Sequence, residues 1–187
     1  MTNGRIYQAK FNSGDWSGQL LSIPIGANGV LGVTEWDAGL VSLASNIINP
    51  VSRIMITKSS SDGVAFQYAN LTTAQKVLID KNAAGTVDNC GLERVFYLRG
   101  DASHENASGT FTCASTTTVN NFRVRTSSKL GDIVNSGPIY IGKPNAGYSD
   151  VDHPGYGAFK NNYKDRTPMV YVGANDGILH GFNACIV

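Results

Sequence analysis

Residues 168–182 read PMVYVGANDGILHGF, and their pattern gives the clearest indication of secondary structure in the chain. The β-branched and aromatic residues of 168–173 predict one strand, and residues 178–182 predict a second. Between them Asn175-Asp176-Gly177 predicts a tight turn, because these residue types tolerate a positive φ. The stretch therefore predicts an antiparallel β-hairpin with residues 175–177 at its tip.

Strand-like segments also precede the hairpin, at residues 133–134 and 138–142. The segment 138–142 is similar to the first hairpin strand, which follows about thirty residues later. We predict that residues 133–184 form one antiparallel sheet of three strands. Across the turn we expect this pairing: Val170 or Val172 with Leu179 or Gly181.

A sheet of this kind is typical of a β-propeller blade, which has four strands. Only three strands fit before Val187, because residues 185–187 are too few for a fourth. We therefore predict a mainly β fold with short helices, in the form of a partial β-propeller. Residues 133–187 are expected to form its first, incomplete blade, and residues 1–132 to lead into it.

The residues before the blade predict short strands and short helices. Strand-like segments are predicted over residues 6–11, 19–25, 30–33 and 53–57. Helices are predicted over residues 36–48, 72–82 and 91–99, the second with a threonine N-cap. Residues 101–121 are rich in Ser, Thr, Gly and Asn, and they predict a long surface loop.

The composition supports this fold and excludes some functions. Among 187 residues, 15 basic side chains nearly balance 14 acidic ones, so the net charge is +1. Such a chain has no field to attract nucleic acid or an anionic membrane. No apolar run approaches the ~18 residues of a transmembrane helix, and residues 1–5 lack the features of a secretory signal. We expect either a cytoplasmic protein or an internal piece of a longer exported one.

The three cysteines cannot all pair with one another. Cys90 and Cys113 are candidates for a disulfide, which would contribute about 3 kcal/mol to stability. Free, partly buried thiols are the alternative for these two residues. Cys185 is expected to be unpaired.

Several ordered motifs resemble a known family. Arg123-x-Arg125 is followed by Leu130-Gly131-Asp132-Ile133-Val134-Asn135-Ser136-x-Pro138, and later by the hairpin stretch 170–180. These motifs resemble the PilC/PilY family of type IV pilus-associated proteins of Gram-negative bacteria. Further matches occur in the family's order at residues 11–18, 36–38 and 97–101.

The resemblance implies a quinoprotein-like propeller in a tip adhesin of the type IV pilus. It implies a non-enzymatic role in pilus assembly, retraction control and surface adhesion, at the cell surface or outer membrane. The expected partners are pilus proteins or the remainder of a parent protein. The family carries a signal peptide and further blades, so we expect a truncated copy whose open strand edge allows self-association. No cofactor is expected in this chain, although calcium binding is possible in full-length members of the family.

Two other functions remain open. Residues 171–177 also resemble propellers that hold pyrroloquinoline quinone, which suggests a blade of a quinoprotein oxidoreductase. Such an enzyme needs several blades, a calcium ion and a catalytic acid. The other alternative is a remnant without independent activity.

Two short motifs are candidate sites. Arg99-Gly100-Asp101 is a tripeptide that some adhesion receptors recognise, although Gly100 also fits a helix stop. Asp150-x-Asp152-x-x-Gly155 has the first acids and the glycine of a calcium loop, but Pro154 and Asn161 replace two of the expected ligands. A solvated loop is the alternative for this motif.

The remaining patterns predict no chemistry. Gly137 to Lys143 has the spacing of a phosphate-binding loop, but its interior is a strand and Pro144 stands where a hydroxyl is needed. The three histidines have no catalytic or metal-ligand spacing. We interpret Asp37, Asp132 and Asp176 as turn residues that hydrogen-bond the backbone.

Overall fold

The computed structural model describes residues 4–41, 53–106 and 108–185. In chain order its strands are β1 (Arg5–Asn12), β2 (Ser17–Pro24), β3 (Trp36–Asp37), β4 (Ile56–Lys58), β5 (Gly63–Ala65), β6 (Thr110–Thr112), β7 (Thr118–Asn120), β8 (Ile139–Ile141), β9 (Met169–Gly173) and β10 (Leu179–Asn183). The helices are α1 (Ala38–Val41), α2 (Thr73–Ile79), α3 (Gly91–Arg99) and α4 (Tyr156–Asn162), with a 3₁₀ turn at Tyr68–Asn70. The prediction of a mainly β fold with short helices is confirmed.

The chain divides into two compact units, one of residues 1–41 and 127–187 and one of residues 42–126. These units differ from the predicted division into residues 1–132 and 133–187. The reason is that the N-terminal strands β1, β2 and β3 lie in the same unit as the blade.

The first unit contains two antiparallel sheets, ordered β1-β2-β3 and β10-β9-β8. Side chains from both sheets and from the segment before β8 share one buried core. Its members are Leu20, Trp36, Ala38, Leu130, Ile133, Val170, Val172 and Ala184. Residues 133–134 form no strand, contrary to the prediction, because Ile133 is used as a core side chain.

The sheet formed by β8, β9 and β10, which we call the blade sheet, has the predicted three strands. Its register differs by one residue from the predicted pairing. Val172 pairs with His180, and Val170 pairs with Phe182. A two-residue turn would have paired Val172 with Leu179, whereas the actual loop has three residues. Gly177 adopts a φ of 80° as the third of them, the geometry of a type I turn followed by a bulge.

The second unit contains two hairpins, β4-β5 and β6-β7, together with α2 and α3. The surface loop predicted over residues 101–121 is wrong, because β6 and β7 lie within it. In β6, Phe111 stands between two threonines, and in β7 its cross-strand partner Val119 stands between Thr118 and Asn120. The Phe111 ring stacks on the ring of His104 at a centroid distance of 3.9 Å. This apolar cross-strand pair gives the hairpin a face to bury.

The helix and strand predictions before the blade are correct in part. Helices α2 and α3 lie within the predicted ranges. Of the helix predicted over 36–48, residues 38–41 form α1, whereas residues 36–37 form strand β3 instead. The rest of that range, residues 42–48, lies outside the described residues. The segment 30–33 provides only a bridge between Leu31 and Ile25, and the strand predicted over 53–57 begins at Ile56. Helix α4 was not predicted.

Helix α2 begins with a capping box, which yields a testable prediction. The Thr72 hydroxyl accepts a hydrogen bond from the Gln75 backbone N–H, and the Gln75 side chain accepts one from the Thr72 N–H at 2.9 Å. We expect Thr72→Ala to lower the free energy of unfolding by about 1 kcal/mol, because a helix N–H loses its partner. Urea denaturation measures the loss. Thr73→Ala, one position later, is the control and should change stability by less than about 0.5 kcal/mol.

Candidate functional site

The carboxylate of Asp176 holds the tip of the blade hairpin. Its Oδ1 accepts a hydrogen bond from the Ile178 N–H at 3.0 Å, and its Oδ2 accepts one from the Gly131 N–H at 3.1 Å. The same Oδ2 lies 2.9 Å from Nε2 of His180, whose ring is buried. One carboxylate therefore joins the turn, strand β10 and the segment that precedes β8. We call these contacts the Asp176 clamp.

The electrostatics of the clamp favour an ionised carboxylate. Burial raises the pKa of Asp176, but the hydrogen bond and charge of His180 lower it, as do the N–H groups of Gly131 and Ile178. The net result is a pKa below the ordinary value of an aspartate. The Asp176 carboxylate thus binds the His180 ring and two backbone N–H groups, so the role of the clamp is to stabilise the fold.

A second set of contacts docks the same segment onto the turn. The Asn175 N–H donates to the Asp132 carbonyl at 2.9 Å, and the Asn175 side-chain amide donates to the Asp132 carboxylate at 2.6 Å. Gly131 is required here because a Cβ would lie 2.7 Å from the Cβ of Asp176. Gly18 is required for the same reason, since a Cβ would lie 2.0 Å from the carbonyl oxygen of Gly131.

These contacts agree with the interpretation of Asp37 and Asp176 as turn residues that bond the backbone, whereas the Asp132 carboxylate accepts from a side-chain amide. Asp37 accepts a hydrogen bond from the Gly39 N–H at 2.8 Å, and Asp176 bonds the residue two positions ahead. The role of Gly131 as a close-contact position was not predicted from its motif. Its only signal in the sequence is the motif Leu130-Gly131-Asp132, in which a glycine separates an apolar residue from an aspartate.

The blade sheet has one buried face and one exposed apolar face. Val170, Val172 and His180 point into the core, while the residues between them in the ladder point outward. The exposed apolar face consists of Ile139 (62% exposed), Ile141 (41%), Tyr171 (36%) and Leu179 (70%). Within the described residues, β8 and β10 pair on one side only, so both edges of the sheet are open. Exposed apolar faces and unpaired strand edges are the features from which interaction surfaces are built, so this face is the candidate interaction surface of the sheet.

The tripeptide Arg99-Gly100-Asp101 ends helix α3. Arg99 is only 4% exposed, and its guanidinium donates to the carbonyls of Phe66 at 3.0 Å and Arg53 at 2.8 Å. Gly100 has a φ of 112°, the left-handed conformation of a helix stop. Asp101 accepts a hydrogen bond from the Ser103 N–H at 2.6 Å. A receptor cannot reach the buried guanidinium, so this geometry does not support adhesion through the tripeptide.

The helix-stop geometry predicts how variants of this tripeptide behave. We expect Arg99→Ala to lower the free energy of unfolding by about 2 kcal/mol, because two backbone carbonyls lose a charged donor. Asp101→Ala should cost about 1 kcal/mol or less. Urea denaturation followed by circular dichroism measures both losses. An Arg99→Ala chain that is as stable as wild type would contradict the structural role.

The two candidate calcium ligands hold the loop before helix α4. Asp150 accepts a hydrogen bond from the Gly157 N–H at 2.7 Å, and Asp152 accepts one from the Ser149 hydroxyl at 2.7 Å. Together they supply two carboxylates, whereas calcium takes about six to eight oxygens. Across residues 4–41, 53–106 and 108–185, the structure brings no three His, Cys, Asp or Glu side chains together as a metal site. Calcium binding by these two residues stays a prediction.

The other predicted positions are as follows. Cys90 and Cys113 form a disulfide with a Cα–Cα distance of 5.5 Å, and Cys185 is exposed and outside it. The residues between Gly137 and Lys143 contain strand β8 instead of a phosphate-binding loop. The described part of the chain has no helix of the length and apolarity needed to cross a membrane.

The blade region corresponds to a known class of propeller domain. Residues 130–185 match the family model of the PilY1 beta-propeller domain. This match begins at the segment that the Asp176 clamp docks onto the hairpin, and it ends after strand β10. The resemblance to the PilC/PilY family that the motifs predicted is confirmed over residues 130–185.

The relatives are pilus proteins, and the similarity covers nearly the whole chain. It is 33% identical, over 98% of its length, to a type IV pilus biogenesis factor PilY1 homolog from Xylella fastidiosa. It is 34% identical, over 95% of its length, to the type IV pilus biogenesis factor PilY1 of Pseudomonas aeruginosa strain PAK. The chain spans 13% and 15% of the length of these two relatives. No solved structure matches it.

Proposed function

We propose that this chain acts in a type IV pilus as a non-enzymatic propeller module, in pilus assembly, retraction control and surface adhesion. The observation that carries this proposal is the similarity of nearly the whole chain to relatives named as pilus biogenesis factors. The proposed partners are other pilus proteins, or further blades of a parent protein.

The exposed apolar face of the blade supports a role in assembly. Tyr171 and Leu179 lie on the face opposite the core, and both edges of the described sheet accept a further strand. Covering this face would remove several large apolar side chains from water. We expect the same surface to allow self-association when its usual partner is absent.

The disulfide supports export from the cytoplasm. Cys90 and Cys113 are buried and bonded to each other. Disulfides persist in oxidising compartments and are rare in the cytosol. We therefore propose that the chain works at the cell surface or outer membrane.

A deletion in the bacterium that encodes the chain tests the proposed function. Removing the segment for residues 4–185 should reduce the number of surface pili seen by electron microscopy, and should reduce surface attachment. Wild-type chain supplied from a plasmid should restore both. Unchanged pili and attachment would instead support a remnant without activity.

A point variant tests the surface itself. Leu179→Lys places a charge on the exposed apolar face and should fail to restore pili, while the purified variant stays folded. Val33→Lys is the matched control, because Val33 is 87% exposed in the same unit and lies outside that face. Light scattering of the purified chains measures self-association, which Leu179→Lys should abolish and Val33→Lys should retain. Equal behaviour of the two variants would argue against the face as the assembly surface.

A further inference from the structure

The second unit contains an open cleft beside hairpin β6-β7. Its volume is about 560 Å³, within the range of about 300–1,000 Å³ that small-molecule sites occupy. The hairpin forms one wall, and the turn before helix α3 together with that helix forms the other. Its polar lining consists of Asn82, Asp88, Arg94, Thr110, Thr118 and Asn120.

The charges in the cleft cancel. The Arg94 guanidinium donates to the Asp88 carboxylate through both terminal nitrogens, at 2.7 Å for Nη1, and also to the Ile79 carbonyl at 3.0 Å. The hydrogen bond from Arg94 holds the pKa of Asp88 below its ordinary value, so the pair remains ionised at neutral pH. The other polar lining residues are hydroxyls and amides. The cleft therefore offers no excess charge to an ionic ligand.

The hairpin wall presents groups that both donate and accept hydrogen bonds. Thr110 and Asn120 face each other across the two strands, and Thr118 lies two residues before Asn120 on the same side. All three are exposed. A hydroxyl is at once a donor and an acceptor, and an amide carries one group of each kind. This is the complement of a ligand whose surface is covered with hydroxyl groups.

An apolar part of the lining completes the cleft. Phe122 is among the lining residues, and its ring packs against neighbouring rings, with centroids 4.9 Å from Tyr97 and 5.2 Å from Phe111. Such a fixed ring gives apolar contact area to the C–H face of a ligand. A ligand with hydroxyl edges and a C–H face therefore fits both parts of the lining.

The walls of the cleft are fixed in place before any ligand binds. The Cys90–Cys113 disulfide joins the start of helix α3, on one wall, to the residue after β6, on the other. The Asn82 side-chain oxygen accepts hydrogen bonds from the N–H groups of Ala84 at 2.9 Å and Thr86 at 3.0 Å, which fixes its amide group. Fixed walls reduce the entropy lost when a ligand binds.

We propose that this cleft binds a neutral saccharide. The absence of excess charge excludes an ionic group as the main determinant, and the hydroxyl and amide wall with a single ring matches one or two sugar residues. The site lies in the second unit and is independent of the proposed assembly surface on the blade. It would provide the chain with a means of attachment that does not use Arg99.

Nuclear magnetic resonance titration of the full chain tests the proposal. The probes are lactose, maltose and N,N′-diacetylchitobiose as neutral saccharides, and glucuronic acid as a charged one. We expect at least one neutral probe to give saturable shifts of the Thr118, Val119 and Asn120 amides at millimolar concentration. Glucuronic acid should bind at least tenfold more weakly.

Variants locate the binding in the cleft. Thr110→Val and Asn120→Ala should each weaken saccharide binding about fivefold, because each removes a hydrogen-bonding group. Ser115→Ala is the matched control, since Ser115 is exposed in the same hairpin but lies outside the cleft. The dispersion of the amide spectrum shows that each variant is folded.

The proposal is overturned by any of three results. The first is the absence of saturable shifts with all three neutral saccharides. The second is binding of glucuronic acid in preference to the neutral probes, which would identify an anion site. The third is equal saccharide affinity in Thr110→Val, Asn120→Ala and Ser115→Ala, which would place the binding elsewhere.

Discussion

Replacing Cys90 and Cys113 together by alanine is expected to lower the free energy of unfolding of the second unit by about 3 kcal/mol. The two residues are 23 positions apart, and a crosslink across such a segment restricts the unfolded chain by about this amount. Both side chains are also buried, so the loss of packing adds to the effect. Urea denaturation, with hydrogen exchange to assign the protection to each unit, measures the change.

Two controls separate the crosslink from other effects. Cys185→Ala removes the exposed thiol outside the disulfide and should change stability by less than about 0.5 kcal/mol. Reduction of the wild-type chain keeps both sulfur atoms and should reproduce most of the loss. If the reduced and oxidised chains unfold at the same urea concentration, the disulfide does not stabilise the unit.

Reduction should also lower the affinity of the cleft beside hairpin β6-β7 for neutral saccharides, because the Cys90–Cys113 bond joins the two walls of the cleft.

The blade hairpin shows how far local sequence predicts this fold. The strands and the turn at residues 175–177 could be predicted, because the local residue types alone favour them. The register does not, because it depends on whether Gly177 joins the loop as a third residue. The composition cannot decide between a two-residue and a three-residue turn, since Asn, Asp and Gly suit both.

Contacts distant in sequence account for the other differences. The segment 101–121 lacks an obvious pattern, and its hairpin depends on Phe111 packing against His104 and Phe122. Ile133 is β-branched, but the core formed by distant strands uses it outside any strand. Both outcomes are set by tertiary packing, which overrides local preference.

Site predictions from short motifs depended on exposure, which the sequence does not give. Arg99 belongs to a tripeptide associated with adhesion, yet its buried guanidinium donates to the backbone carbonyls of Phe66 and Arg53. The saccharide cleft, in contrast, is built from Asn82, Asp88 and a hairpin about thirty residues later. No spacing rule joins these residues, because the disulfide and the fold bring them together.

The Asp176 clamp leads to the second large effect. We expect Asp176→Ala to lower the free energy of unfolding of the first unit by about 3 kcal/mol. The carboxylate accepts hydrogen bonds from Gly131, Ile178 and His180, and each net loss costs about 1 kcal/mol. Asp176→Asn keeps the shape and one acceptor, so its loss should be smaller. Asp165→Asn is the control, because Asp165 is an exposed aspartate in the same unit.

The same carboxylate predicts a dependence on pH. The pKa of Asp176 in the folded chain lies below the ordinary value. For an aspartate in an unfolded chain that value is about 3.9. Its contribution is therefore fully present above about pH 5 and is lost as the pH falls through the folded-state pKa. Urea denaturation across this range should show the stability gap between wild type and Asp176→Asn narrowing below about pH 4. A gap that stays constant or widens on acidification would mean that the ionised carboxylate does not hold the hairpin.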